Sequence, residues 1–212
     1  MKNYLIVFLL FLSQLIFAPN LPIELQNRIV KEQIGMENFI KTQAILEKDD
    51  HEDLITLRKL KMTDKFDKQC RLKVREICKE VGIQSKWLYK VFKPESGGNP
   101  DAVNPYSGAT GLIGFLPSTA NYLGTDTSEL KRMCTLDQLD YVRKYLLIIS
   151  QKYKIHNSVD LYLAIFRPST IGKPDSYVVG DKNSTIAKQN KIYLNEDSVI
   201  TIKSIKSFIA LM

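Results

Sequence analysis

One carboxylate in this 212-residue chain stands in a setting that suits proton transfer. Glu95 lies where a helical pattern gives way to a turn-rich stretch, with Trp87, Phe92 and Tyr106 near it in sequence. Apolar neighbours disfavour the charged form of a carboxyl and raise its pKa, so that it stays protonated near neutral pH and can act as a general acid. A hydrolase of the two-carboxylate kind needs a partner acid about 5 to 9 Å away. Asp101 is the nearest in sequence, but it sits in an Asn-Pro-Asp turn, where its ordinary work is to stabilise the turn.

The segment 87–104 reads Trp-Leu-Tyr-Lys-Val-Phe-Lys-Pro-Glu-Ser-Gly-Gly-Asn-Pro-Asp-Ala-Val-Asn, and 108–120 reads Gly-Ala-Thr-Gly-Leu-Ile-Gly-Phe-Leu-Pro-Ser-Thr-Ala. Together they resemble the lytic transglycosylase family, of the soluble, lysozyme-like kind. Its first motif, Glu-Ser ahead of Gly-x-Asn-Pro, is matched by Glu95, Ser96 and residues 97–100. Its second, Gly-Leu-Met-Gln ahead of Pro-x-Thr-Ala, is matched in part by Gly111, Leu112, Ile113 and by Pro117, Ser118, Thr119 and Ala120. The resemblance covers residues 66–171 and is nearest to versions carried by bacteriophages.

That resemblance implies a mainly α, goose-type lysozyme-like domain that cleaves the bond between N-acetylmuramic acid and N-acetylglucosamine in peptidoglycan, with no cofactor. Glu95 would protonate the leaving oxygen and then, as carboxylate, take the proton of the sugar's own 6-hydroxyl, giving a 1,6-anhydro product. Ser96, Tyr106, Gly111, Leu112, Ile113 and Phe166 would hold the sugar. A lysozyme-like hydrolase is the second choice of activity. The departures favour an alternative of another class, a weakened wall-binding or structural virion protein. Gly114 replaces the family's Gln, Ile165-Phe166-Arg167 stands for Ala-Tyr-Asn, and Pro94 precedes the catalytic position.

The elements that must position these residues follow from periodicity. Phe66, Cys70, Val74, Ile77, Cys78 and Val81 recur at three and four, with Gly82 as a stop, which predicts an amphipathic helix. A second helix spans 86–93 and ends before Pro94, which lacks a backbone donor and restrains the residue before it. Pro117 suits the first turn of a helix ending before Gly124; Thr135 caps a long helix to about Tyr153, and Ser158 another through Phe166. Strand signals wait until residues 199–202.

Outside this core the chain divides into 1–23, a signal-anchor or signal peptide; 24–65, a helical stalk; 66–180, the lysozyme-like domain; and 181–212, an extension. Residues 4–18 are apolar behind Lys2, interrupted by Ser13 and Gln14, in the order of a secretory segment. Cleavage after Ala18 would put Ile16 at −3 and Pro19 after the cut, so an uncleaved membrane anchor is preferred. The run is about 22 Å as a helix, short of a hydrocarbon core of about 30 Å unless residues 21–23 contribute. From 24 to 61 the apolar positions drift, with a polar cluster at 47–53, so the helix is expected to serve as a spacer. In the extension, Asn195, Asp197 and Thr201 fall at positions 3, 5 and 9 of an EF-hand-like loop. Tyr193, Ser198 and Ser204 replace its Asp, Gly and Glu, so a decayed loop without calcium is expected.

Charge and cysteine use bound the partners. Residues 24–65 carry a net charge of −1 and residues 66–212 a net charge of +7. A basic domain is drawn to polyanions, here an anionic wall. The basic residues are scattered, with no reading helix or aromatic–basic strand platform, which disfavours nucleic acid. Cys70 and Cys78, eight apart on one helix and about 12 Å along it, cannot bridge. Free buried thiols are preferred over a Cys134 bridge, and no metal-ligand spacing accompanies them. Peptidoglycan, a membrane and other virion proteins are the expected partners, in an exported or virion-associated setting.

Overall fold

The computed structural model describes residues 22–211. The apolar segment expected as signal or anchor lies outside these residues apart from its last two positions, and no helix among the described residues is long and apolar enough to cross a membrane. The chain forms two compact units, Met1–Glu52 and Asp53–Met212. In the first, residues 23–52 belong to a helix of 37 residues, α1 (Ile23–Lys59). Leu25, Val30, Ile34, Phe39 and Ile45 are exposed along it. Their drifting spacing gives no single apolar stripe, and the polar cluster at 47–53 interrupts the pattern but not the helix.

The second unit starts earlier than Phe66, because Leu57, Leu60 and Met62 already lie in its core. Its scaffold is a pair of helices in contact, α2 (Lys68–Val81) and α6 (Thr135–Lys152), with α3 (Ser85–Ser96) packed on α7 (Ser158–Phe166). Asp67 caps α2 by accepting from the Cys70 amide, and Gly82 ends it in the left-handed region at φ 78°. The inward stripe is Cys70, Val74, Ile77 and Cys78, as the spacing predicts. Arg143 of α6 forks onto Glu80 of α2 with two bonds of 2.6 Å. Beneath α3, buried Asp53 accepts from Arg75 at 2.7 Å and Ser85 at 2.5 Å. All three cysteines are free, but Cys134 is exposed, so only Cys70 and Cys78 are the buried thiols expected. Burial pushes Cys78 up to about 12 and Cys70 to about 11, which leaves both thiols unreactive.

Several caps differ from expectation. The α6 N-cap is Cys134, with Thr135 in the first turn, and α7 is capped by Asn157, whose side chain accepts from the Val159 and Asp160 amides. Asn reaches two amides where Ser158 would reach one. Two short helices, α4 (Pro117–Tyr122) and α5 (Thr127–Arg132), bridge the glycine-rich loop to α6; α5 is too short to announce itself by period. After α7 the chain makes β1 (Val178–Gly180), α8 (Thr185–Gln189), β2 (Ile200–Thr201) and α9 (Ile202–Ala210). The strands pair antiparallel, Val178 opposite Thr201. Three residues of β1 leave no alternation to read.

Ile202, Ile205 and Ile209 of α9 dock into the core, with Tyr193 and Ile200 beside them. Residues 181–212 are therefore part of the same compact unit as the rest of the helices.

Candidate active site

Glu95 occupies the last turn of α3. Leu88, Tyr89, Val91 and Phe92 bury the other face of this helix, and Phe66 stacks on Phe92 at 5.4 Å and meets Tyr89 edge-on at 5.3 Å. The helix was expected to stop at Lys93; it runs through Pro94 to Ser96. A proline there removes one bond and costs about 3 kcal/mol, which this packing offsets. Gly97 and Gly98, at φ 64° and 75°, then turn the chain. A Cβ on Gly98 would stand 2.9 Å from the Phe66 ring, so only glycine fits.

Ser96 ties this helix end to the glycine-rich loop. Its hydroxyl donates to the Leu112 carbonyl at 2.9 Å and accepts from the Gly98 amide at 3.1 Å. The loop itself folds into a tight hairpin in which Thr110 and Phe115 exchange backbone bonds of 2.9 and 2.8 Å. Fully buried Gln138 of α6 pins it: the amide oxygen accepts from Leu112 N–H at 2.9 Å, and the amide nitrogen donates to the carbonyls of Pro100 at 2.7 Å and Leu130 at 2.6 Å. A Cβ on Gly111 would sit 2.4 Å from that amide oxygen. Gly114, at φ 61°, brings the loop against the acid, and a Cβ there would stand 3.2 Å from Glu95 Oε2.

The opposite wall is aromatic. Tyr162 is buried in α7, stacked on Phe166 at 5.7 Å, and its hydroxyl is hydrogen-bonded to the Tyr193 hydroxyl. Tyr145 of α6 donates to the Ala164 carbonyl at 2.7 Å and meets Phe115 edge-on at 6.5 Å. Between the walls is a cleft of about 390 Å³, lined by Glu95, Ile113, Gly114, Phe115, Tyr145, Phe166 and Arg167, together with Ile186, Gln189 and Asn190. Among the described residues Glu95 is the only carboxylate in that lining.

Loss of water around Glu95 pushes its pKa up to about 7, against the opposing influence of the Tyr162 hydroxyl, which favours the carboxylate. Of the aromatic neighbours in sequence, Phe92 lies in the core, Trp87 packs against it, and Tyr106 is 83% exposed. Burial, and then the charge of Glu95, push the Tyr145 phenol up to about 12, so it stays a neutral donor. A carboxyl poised near neutrality can both give and take a proton at physiological pH.

Residues 74–146 match the family model of the Transglycosylase SLT domain. The match supports the lytic transglycosylase family. It spans Glu95, the glycine-rich hairpin, Gln138 and Tyr145, and ends at Leu146. No curated protein and no solved structure matches the chain.

Of the residues expected to hold substrate, Ile113 and Phe166 line the cleft with Glu95. Ser96, Gly111 and Leu112 do not: Ser96 and Gly111 shape the loop, and Leu112 is fully buried with its amide on Gln138. Tyr106 stands outside the lining. Asp101 also lies outside it, in a turn where its amide donates to Asn99 Oδ1. In the EF-hand-like stretch, Asn195 Oδ1 accepts from the Val199 amide and Thr201 caps α9, while Ser198 takes the left-handed φ of 59° that glycine would take in the calcium loop. Asp197 is exposed. Tyr145, Tyr162, Gln138 and Tyr193 were missed. Tyr162 had a trace in the sequence, since it precedes Phe166 by four residues and so shares its helix face.

Proposed function

We propose that this protein is a peptidoglycan lytic transglycosylase in which Glu95 is the catalytic acid and base. The observation that carries the reading is a lone carboxyl, raised to about 7 by its burial, in a cleft with no second carboxylate among the described residues. A glycosidase that hydrolyses by two carboxylates would lack its nucleophile or its general base here. With the substrate's 6-hydroxyl as the internal nucleophile, one acid suffices: Glu95 protonates the glycosidic oxygen, and its carboxylate then accepts the hydroxyl proton as the 1,6-anhydro ring closes. The cleft lining, mostly apolar with Tyr145 and Phe166, gives a sugar faces to lie on.

The basic charge of residues 66–212 favours an anionic wall as the place of action. Delivery by the apolar segment 4–18, and a virion-associated role in opening the wall during infection, rest on that segment and on the bacteriophage-like spelling of the motifs.

The test is digestion of purified peptidoglycan by residues 24–212, wild type beside Glu95→Gln, with mass spectrometry of the released muropeptides. Products one water lighter at the muramic acid, from wild type alone, are expected. Reducing-end products would replace this reading by hydrolysis. A folded protein that sediments with the wall and releases nothing would point to the wall-binding role that the departures at Gly114 and Phe166 favour.

A further inference from the structure

Among the described residues the cleft lining holds two charged side chains, Glu95 and Arg167, and the reaction as described uses only the first. Arg167 stands at the end of α7, where Ile165-Phe166-Arg167 replaces the family's Ala-Tyr-Asn, so a short neutral amide has become a long cation. No ion pair among the described residues joins it to Glu95 or to another acid. That separation matters to the chemistry. A guanidinium paired with Glu95 would favour the carboxylate and cost the cleft its proton donor.

Arg167 is held in place. Its amide donates to the Leu163 carbonyl at 2.8 Å, and its carbonyl accepts from the Thr170 amide at 3.0 Å and the Thr170 hydroxyl at 2.7 Å, with Thr170 1% exposed. Its Nη1 donates to the carbonyl of buried Val179 in β1 at 3.1 Å. A guanidinium has five N–H donors in one plane and keeps its charge at any physiological pH. One donor is spent on β1. Polar neighbours in the lining are engaged elsewhere: Asn104 Oδ1 takes the Tyr106 and Ser107 amides, and Asn190 Nδ2 donates to the Ile186 carbonyl at 2.9 Å. Arg167 is the anchored cation of this cleft, with donors to spare.

Such a group fits a planar oxyanion, above all a carboxylate, which it can meet with two parallel bonds. The sugars of peptidoglycan bring hydroxyl and acetamido groups, all neutral. Carboxylates reach them through the lactyl group of the muramic acid, as its own free acid where the peptide is absent and as acids of the peptide where it is attached. We propose that Arg167 is a specificity-determining residue that takes this lactyl-borne carboxylate, so that the cleft selects acidic muramic acid units over amidated ones. The identity of the ligand rests on the transglycosylase reading; the site itself rests on Arg167, Thr170 and Val179. All three lie beyond the family-matched residues 74–146, so the preference would belong to this chain rather than to the match.

Binding is measured on the full chain carrying Glu95→Gln, so that strands are held and not cut. Four probes come from one preparation of uncross-linked glycan strands: with peptides, with the peptides removed to leave free lactyl acids, and each of these with its carboxyls converted to amides. Titration calorimetry at low salt should show at least one acid form bound about tenfold more tightly than its amide, the scale of one charge-assisted contact. Arg167→Gln brings that ratio to about one and leaves the affinity for amidated strands unchanged, which also reports an intact cleft. Arg167→Lys keeps part of the preference. Lys182→Gln, which removes a positive charge outside the lining, keeps all of it. A preference confined to stripped strands identifies the lactyl acid itself, and one confined to peptide-bearing strands identifies an acid of the stem.

Equal affinity for acid and amide strands in the protein that retains Arg167, a preference that survives Arg167→Gln, or a loss in Arg167→Gln that is equal for all four strands would each overturn the inference. None of these touches the transglycosylase reading, which stands or falls on cleavage by the protein with Glu95 in place. There, Arg167→Gln raises KM on acid strands about tenfold and leaves kcat little changed. Selective binding without cleavage would end the transglycosylase reading and keep Arg167 as a carboxylate site on a wall-binding protein; no binding to any strand would end both.

Discussion

The two walls of the Glu95 cleft are held by different forces. On one side, the end of α3 and the glycine-rich hairpin are fixed by backbone hydrogen bonds that need particular partners: Ser96 on the Leu112 carbonyl, Gln138 on three backbone groups, and glycine at 98, 111 and 114, where a Cβ would meet the Phe66 ring, Gln138 or the acid itself. On the other, Tyr162, Phe166, Tyr193 and Phe208 lie against one another as rings, and any large apolar group of the right volume would fill much of that space. A wall built on directional bonds tolerates few residue types and leaves a motif. A wall built on volume leaves almost none.

Glu95 belongs to both walls, so its replacement has the largest effect. Glu95→Gln keeps the shape and removes the proton, and wall-cleaving activity falls by about 10²- to 10⁴-fold or more. Stability moves the other way. The folded carboxyl titrates near 7, above its ordinary 4.5. The stabilisation from its proton is complete below about pH 4.5 and is lost as the pH rises through 7. Glutamine does not ionise, so at pH 8 the variant is more stable than wild type by about 2 to 3 kcal/mol, and near pH 4 the two converge. Urea unfolding at both pH values measures this. Parallel loss of stability in the two proteins would mean that the cleft does not desolvate the acid.

The contrast between the walls is tested by one substitution in each. Gln138→Leu strips partners from the buried Leu112 amide and Leu130 carbonyl and from the part-buried Pro100 carbonyl, and costs about 3 kcal/mol or more. Phe166→Leu exchanges one apolar group for another and costs about 1 kcal/mol. Thermal melts of the pair should be far apart, and equal losses would abolish the distinction drawn here.

The same distinction explains how much could be read beforehand. The helix end that carries Glu95, the α2 stripe ending at Gly82, and the Pro117 helix start each rest on a local rule, and each was legible. Ser96, Gly111 and Leu112 were singled out as residues that would hold sugar; in the structure their contacts hold the loop. A motif marks residues that cannot change without saying whether substrate or backbone forbids it. Gln138 was silent because it lies 26 residues from Leu112 and one polar residue in a long helix has no distinctive spacing. Tyr193 was assigned to a decayed calcium loop, since its position in a ring cluster with α7 and α9 depends on how the last 30 residues return to the core. The continuation of α3 through Pro94 was hidden for a related reason, because the local cost of proline is visible in sequence and the packing that offsets it is not.

Gly114 gives a smaller effect and a sharper test of the hydrogen-bonded wall. Restoring the family's side chain, Gly114→Gln, would be expected from the motif alone to regain a hydrogen bond to the sugar. Here the position has φ 61° and its Cβ would stand 3.2 Å from Glu95 Oε2. The left-handed backbone costs about 1 kcal/mol for a side-chain residue, and the crowding displaces the acid. Activity on peptidoglycan should fall several-fold, with KM little changed. A gain would show that this loop readily rearranges to the family's form.

Tyr106→Ala should do least. The ring is 83% exposed, and the backbone beneath it is held by Asn104, whose Oδ1 accepts from the Tyr106 amide at 2.9 Å and the Ser107 amide at 3.2 Å. Removing the ring therefore leaves the turn intact, and stability should change by no more than about 0.5 kcal/mol. Asn104 and Ser107 line the cleft and Tyr106 does not, so kcat/KM on peptidoglycan should stay within about twofold of wild type, since an exposed side chain that touches no reacting group supplies little of the barrier reduction. A tenfold loss, confined to KM, would place the ring on the bound glycan. Loop 104–107 would then close over the substrate, and the wall that looks set by backbone bonds alone would gain an aromatic face in the complex.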